Sequence, residues 1–431
     1  MPSCRLLLAL ALAHPGGQAT PRLTLPLPTT AEADSLLHDR RYLELERWLE
    51  RPGARTLPSA RFFAGILDNR RNRNTHAVSR LTPLLRTITL RSDSAHRHAL
   101  LETLADSYGK LYRYADAART LDLLGREFGN TLPDQERHSF VAGAKLRRLL
   151  ADAPAQRTTL HAPFAVPLRR GSIGLLESIA VVGTDSSWWI VDTGANFSTV
   201  SEGMARRLGL HASLDAAATE GISGALVSLH VAVVPLLRIG RAEVRNMVVL
   251  VLPDSALYIP QIKYQITAIL GYPLLEALRT VTLAPDSLIV SNAAPAGAHA
   301  ELFLEQLNPL VAATVSGRTD LYHLDTGAST TSFTSHFRDA QPELLAGLAP
   351  TQSNMMGAGG VARFPSYELP EVRLSLGTHE SVLRKVTVFA APTPTPFDHF
   401  YGNIGQDVFG GAALTLDFRT MTIVLSPRSS P

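Results

Sequence analysis

The sequence has one cysteine in 431 residues, Cys4. Beyond that position it can form no disulfide, no cysteine nucleophile and no thiolate metal site. An absence of thiols suits an oxidising compartment. The histidines, His323 and His399 included, show no metal-ligand spacing, so no metal is expected and each reads as a surface or structural residue. No run approaches the roughly 20 apolar residues of a membrane span. Charge is scarce and balanced, with 41 basic against 38 acidic residues and a net charge of +3. With no long basic run and no zinc-finger or RNA-binding signature, nucleic acid is excluded as a partner. The arginines crowd into residues 40 to 170, where a solvated helical surface accounts for them. Gly357, Gly359 and Gly360 are followed by no lysine, which excludes a phosphate loop, and no serine-nucleophile elbow occurs. No cofactor is expected.

What is present divides the chain. Residues 1–19 carry one arginine, the apolar stretch Leu6 to Ala13 and a Pro-Gly-Gly break, a short secretory leader that implies export from a bacterial cell. A disordered start or a misplaced initiator is the alternative. Residues 20–160 have helical periodicity. From His98 to Gly129 apolar residues recur at spacings of three and four, including Leu100, Leu101, Leu104, Ala105, Tyr108 and Leu111. A second helix follows Arg113-Tyr114. The pair resembles one tetratricopeptide unit, with Ala31 to Glu50 as a weaker copy, and such units bind partner proteins. A helical prodomain or spacer fits the same residues.

From about residue 165 short apolar runs alternate with Gly, Pro and Asn, the texture of strands. Ser291 to Glu301 separates two parts, residues 165–295 and 300–431. Each part holds an apolar strand ending in Asp-Thr-Gly-Ala, at Asp192–Ala195 and Asp325–Ala328. A given tripeptide occurs by chance at roughly 1 position in 10,000, so two copies in matching surroundings need a cause. Glycine-bearing hairpins follow, "EGISGAL" with Gly221 and Gly224, and "NMMGAGGVA" with Gly357, Gly359 and Gly360. Gly224 and Gly357 each lie 32 residues past their aspartate. Ile269-Leu270-Gly271 and Asn403-Ile404-Gly405 come next, with 79 and 80 residues between aspartate and glycine. The same order at the same spacing indicates duplication of one β domain.

Each half resembles a retropepsin-type aspartic protease domain, and the two together resemble the lobes of a pepsin-like enzyme. The likeness rests on apolar-Asp-Thr-Gly-Ala, the glycine-containing flap and the apolar-apolar-Gly motif, and covers residues 170 to 427. It implies an N-terminal all-α helical-repeat region followed by an all-β bilobal fold of two β-barrel lobes. It implies an endopeptidase acting on polypeptide without a cofactor, with Asp192 and Asp325 catalytic. Thr193 and Thr326 would lock the loops, Gly194 and Gly327 would let each loop turn tightly beneath its carboxylate where a side chain would obstruct the carboxylates' approach, and Ile269, Leu270, Gly271, Ile404 and Gly405 would thread behind. The flaps would cover substrate. With two aspartate loops per chain, a monomer would suffice for catalysis.

The chemistry suits the pattern. Two carboxylates in contact cannot both ionise easily and so hold one proton between them. One activates water while the other polarises the substrate carbonyl. The departures are Ala195 and Ala328 where pepsins place a hydroxyl, flaps without tyrosine, and Asn403 where an apolar residue is usual. Loss of the hydroxyl donors implies a mildly acidic pH optimum. A non-catalytic protein that keeps the cleft to bind peptides, and recruits a partner through its helices, is the alternative from another class.

Overall fold

The computed structural model describes residues 27–426, apart from 132–133, 221–225, 295–296, 298, 358–359 and 394–397. The expected leader, 1–19, lies outside the described residues, as do Gly221, Gly224 and Gly359.

Seven helices come first: α1 Thr30–His38, α2 Tyr42–Glu50, α3 Ala60–Arg70, α4 Asn74–Leu81, α5 Ser94–Lys110, α6 Tyr114–Phe128 and α7 Asp134–Leu149. The first six form three hairpins closed by one kind of turn. Arg40, Asn72 and Tyr112 sit at its centre in the left-handed region, with φ of 54°, 57° and 57°. The next residue in each case donates back five positions: Arg41 to the Leu36 carbonyl, Arg73 to Asp68 and Arg113 to Tyr108, at 2.8, 2.7 and 2.8 Å. This is the Schellman way of ending a helix, which satisfies carbonyls left open by the last turn. The repeat-like pairs named from the sequence are the first and third hairpins; the middle one lies within the same helical region.

Besides a small cluster of Leu101, Leu124 and Phe128, the helices share their core with the β body. Tyr42, Trp48, Phe63 and Ile66 pack into one apolar cluster with Phe303, Leu310 and Phe400 of the second β lobe. At the seam Glu305 accepts from the Tyr42 hydroxyl and from Arg40, with the Arg70 guanidinium 3.8 Å away.

Two β lobes follow, their strands running from Arg157 to Ser426. In each, alternating apolar residues point into a shared core, where Trp189 is fully buried while Trp188 lies under the Arg169 guanidinium at 3.9 Å. One sheet joins the lobes. Its strands run Phe164–Arg170, Ser287–Val290, Thr280–Leu283, Ala413–Asp417, Thr422–Ser426 and Ala300–Glu305. The central antiparallel pair crosses between lobes, Thr280 facing Asp417 and Leu283 facing Leu414. Thr282 and Thr415 share a hydrogen bond of 2.8 Å across it. This sheet ties the halves together in one chain and sets their aspartate loops face to face.

Candidate active site

The two aspartate loops are built alike. The strand Asp185–Val191 delivers Asp192, and Arg318–Leu324 delivers Asp325. A short strand runs parallel to each: Ile269 faces Ile190 and Leu270 faces Val191, while Asn403 faces His323 and Ile404 faces Leu324. The Asp192 N–H donates to the Leu270 carbonyl at 3.0 Å, and the Asp325 N–H to Ile404 at 2.9 Å. The chain then passes close behind each loop, with Tyr272 N–H on the Ala195 carbonyl and Gln406 N–H on Ala328, both at 2.9 Å. That passage needs glycine. A Cβ on Gly271 would lie 2.5 Å from the Phe197 carbonyl carbon, and one on Gly405 2.6 Å from that of Thr330. The first lobe continues into the helix Tyr272–Ala277; the second makes only a 3-10 turn, Gln406–Phe409.

The threonines cross between lobes. Thr193 N–H donates to Thr326 Oγ1 and Thr326 N–H to Thr193 Oγ1, each at 3.0 Å. Each hydroxyl in turn donates to a carbonyl of the opposite loop, Thr193 to Leu324 and Thr326 to Val191, both at 2.8 Å. All of these groups are buried, so each would be costly unpaired.

Gly194 and Gly327 stand where a side chain would obstruct the carboxylates. Neither has a positive φ. A Cβ on Gly194 would stand 2.7 Å from Asp325 Oδ1, and one on Gly327 2.5 Å from Asp192 Cγ. Each glycine therefore makes room for the carboxylate of the other loop, and the two carboxyls come within hydrogen-bonding reach.

The hydrogen-bond donors to the pair are few. Asp192 Oδ1 accepts from Gly194 N–H at 2.8 Å and Ala195 N–H at 3.1 Å; Asp325 Oδ1 accepts from Gly327 N–H at 2.8 Å. Burial, and then the Asp325 charge, push the Asp192 carboxyl well above the usual carboxylate range, against the pull of its two backbone donors. Such a pair holds a proton where an isolated carboxylate has lost it.

The second lobe adds a donor the first lacks. Asn403 Nδ2 donates to Asp325 Oδ2 at 3.0 Å, and Asn403 Oδ1 lies 2.7 Å from His323 Nδ1. Both side chains are buried. In the sequence Asn403 stood out only as a departure and His323 as a structural residue. The available signal was their shared register: they occupy the places of Ile269 and Ile190, so two polar exceptions had to meet. The hydroxyl donor missing at Ala328 is thus replaced at Asp325 by an amide from behind.

The expected flaps are hairpins. Ala217–Glu220 pairs with the start of Leu226–Ile239, and Thr351–Gly357 with the start of Gly360–Leu376. Gly357 and Gly360 face each other at the second tip, and Gly360 has a φ of 109° that favours glycine. The helices also touch the first lobe. Helix α7 packs against the strand Ala217–Glu220, and the Arg147 guanidinium lies 5.4 Å from the centre of the Phe197 ring. No metal-binding group of three or more ligands occurs among the described residues.

With this geometry in place, comparison with known proteins adds a family likeness. Residues 178–274 match the model of the aspartyl protease family, a stretch that contains Asp192 and the Ile269-Leu270-Gly271 motif. No curated protein matches the chain. Among solved structures, the chain is similar to basic 7S globulin from soybean, with a TM-score of 0.39 and 13% identity over 61% of this chain and 94% of that one.

Proposed function

We propose that this protein is an aspartic endopeptidase with one active site per chain. The observation that carries this reading is the meeting of two carboxyls from duplicated loops, locked by reciprocal threonine bonds. Water held between the carboxyls gives a proton to the ionised member and adds to the peptide carbon. The protonated member gives its proton to the carbonyl oxygen, forming a gem-diol. Collapse moves the first proton to the departing nitrogen, returns one from the gem-diol to the other carboxyl and breaks the C–N bond. Two carboxyls balance every proton in this cycle, so the reaction needs no cofactor.

The test is incubation with acid-unfolded casein at mildly acidic pH, with and without pepstatin. The reading predicts fragments in the free reaction and intact casein in the inhibited one. Casein that is retained by the protein yet stays whole would point instead to a peptide-binding protein that has kept the cleft.

A further inference from the structure

The two aspartate loops share one plan, and a polar substitution behind Asp325 sets them apart. There the apolar pair Ile190 and Ile269 of the first lobe is replaced by His323 and Asn403. We propose that Asn403, oriented by His323, is a positioning residue that makes the dyad asymmetric, keeping the negative charge on Asp325 and the shared proton on Asp192. This rests on the protease reading above.

The hydrogen bonds tie three groups together. Asn403 Nδ2 lies 3.0 Å from Asp325 Oδ2, the NH2 that an ionised carboxylate requires. The amide oxygen then meets His323 Nδ1 at 2.7 Å, and in this arrangement Nδ1 carries a proton. Nδ1 is protonated in one neutral tautomer and in the cation alike, so the arrangement survives titration of the ring. Burial pushes the imidazole below its usual value, against the Asp325 charge and the Asn403 bond.

The reversed amide, with its oxygen on a protonated Asp325, would need His323 Nδ1 as an acceptor. A proton on Nδ1 excludes it. Asp192 has no such side-chain donor among the described residues, and its own carboxyl is pushed up. Both oxygens of Asp325 accept a hydrogen bond, whereas the two backbone donors to Asp192 both fall on Oδ1, which leaves its Oδ2 to carry the proton. In the reaction Asp325 would then take the proton from water and Asp192 would polarise the carbonyl.

The surrounding charges do not compete. The neighbouring strands Asn308–Val315 and Gly402–Ile404 carry no titratable side chain. Arg318 and Asp320, earlier on the His323 strand, pair with each other at 2.6 Å. Asp407 is held by the N–H and hydroxyl of Thr331 at 2.8 and 2.6 Å. From the helices, Arg147 faces the Phe197 ring.

Two measurements test the proposal. The first is the pH profile of kcat/KM for wild type, Asn403→Leu, His323→Leu and the double variant. Loss of the donor should move the acid limb up by about one pH unit in Asn403→Leu. His323→Leu should give a smaller shift in the same direction, and no further shift in the Asn403→Leu background, since His323 acts through the amide. An unmoved acid limb in folded Asn403→Leu, or equal additive shifts, would overturn the proposal. The second is neutron diffraction of the wild type at pH 5, which needs neither activity nor a variant that folds. Deuterium on His323 Nδ1 and on the Asp192 carboxyl is the expected result. Deuterium on Asp325 Oδ2, donated to Asn403, would refute it. An inactive wild type with the expected deuterons would sink the protease reading and leave the asymmetry standing.

Discussion

Thr193 and Thr326 each accept the other's backbone N–H at 3.0 Å, a reciprocal pair of buried bonds that crosses from one lobe to the other. Thr193→Val keeps the shape and removes the hydroxyl. It leaves the Thr326 N–H and the Leu324 carbonyl without partners. Each orphaned group should cost about 1–3 kcal/mol. The check is urea unfolding, with Thr193→Ser as the variant that restores stability. A Val variant within about 0.5 kcal/mol of wild type would mean the lobes do not depend on this contact.

A second prediction follows from the raised Asp192 carboxyl. The folded chain keeps a proton there over a pH range in which the unfolded chain has released it. Where the folded state binds more protons, stability falls as pH rises. The fall begins near the unfolded carboxylate value of about 3.9 and continues through the raised folded value. Asparagine has no proton to lose. Asp192→Asn should therefore melt above wild type at pH 7, and the difference should close at pH 3. A gain of the same size at both pH values, or a loss at pH 7, would contradict the assignment.

The helices should be a structural part of the β body. Glu305 is the shared acceptor at the seam, its side chain 12% exposed and that of Arg70 11%. Glu305→Ala would take the paired carboxylate from the buried Arg70 guanidinium, which keeps the neutral partners Tyr42 and Asn69, and the acceptor from the Tyr42 hydroxyl. Breaking a buried ion pair from one side costs about 3–5 kcal/mol. Chemical denaturation monitored by tryptophan fluorescence would read this loss, since Trp48 lies in the shared cluster and Trp189 in the lobe core. A cost below about 1 kcal/mol would put the contact with ordinary exposed pairs.

Much of this architecture was legible because duplication repeats a message. One Asp-Thr-Gly is weak, but two with matched hairpins and glycines at matched distances defined both loops and the order of elements around them. Gly271, Gly405, Gly194 and Gly327 all stand at close approaches; the sequence marks the positions but not which atom would strike each Cβ. The Asn403–His323 contact was hidden for another reason. Its members lie 80 residues apart and meet only through a parallel register that no local pattern encodes. The middle helical hairpin fell inside the helical region without being singled out as a pair. The seam at Glu305 joins residues more than 260 positions apart and leaves no trace in periodicity.

The central claim is that Asp192 and Asp325 of one chain form a single hydrolytic site. The direct measurement is casein cleavage by wild type, Asp192→Asn, Asp325→Asn and an equimolar mixture of the two variants, across a nanomolar dilution series. Wild-type specific activity should stay flat on dilution. Each variant should fall by roughly 10²–10⁴-fold or more, and the mixture should stay as low as its components. Near-wild-type cleavage by either purified variant would contradict the paired-aspartate chemistry. Activity that vanishes on dilution would show that the site is assembled between chains.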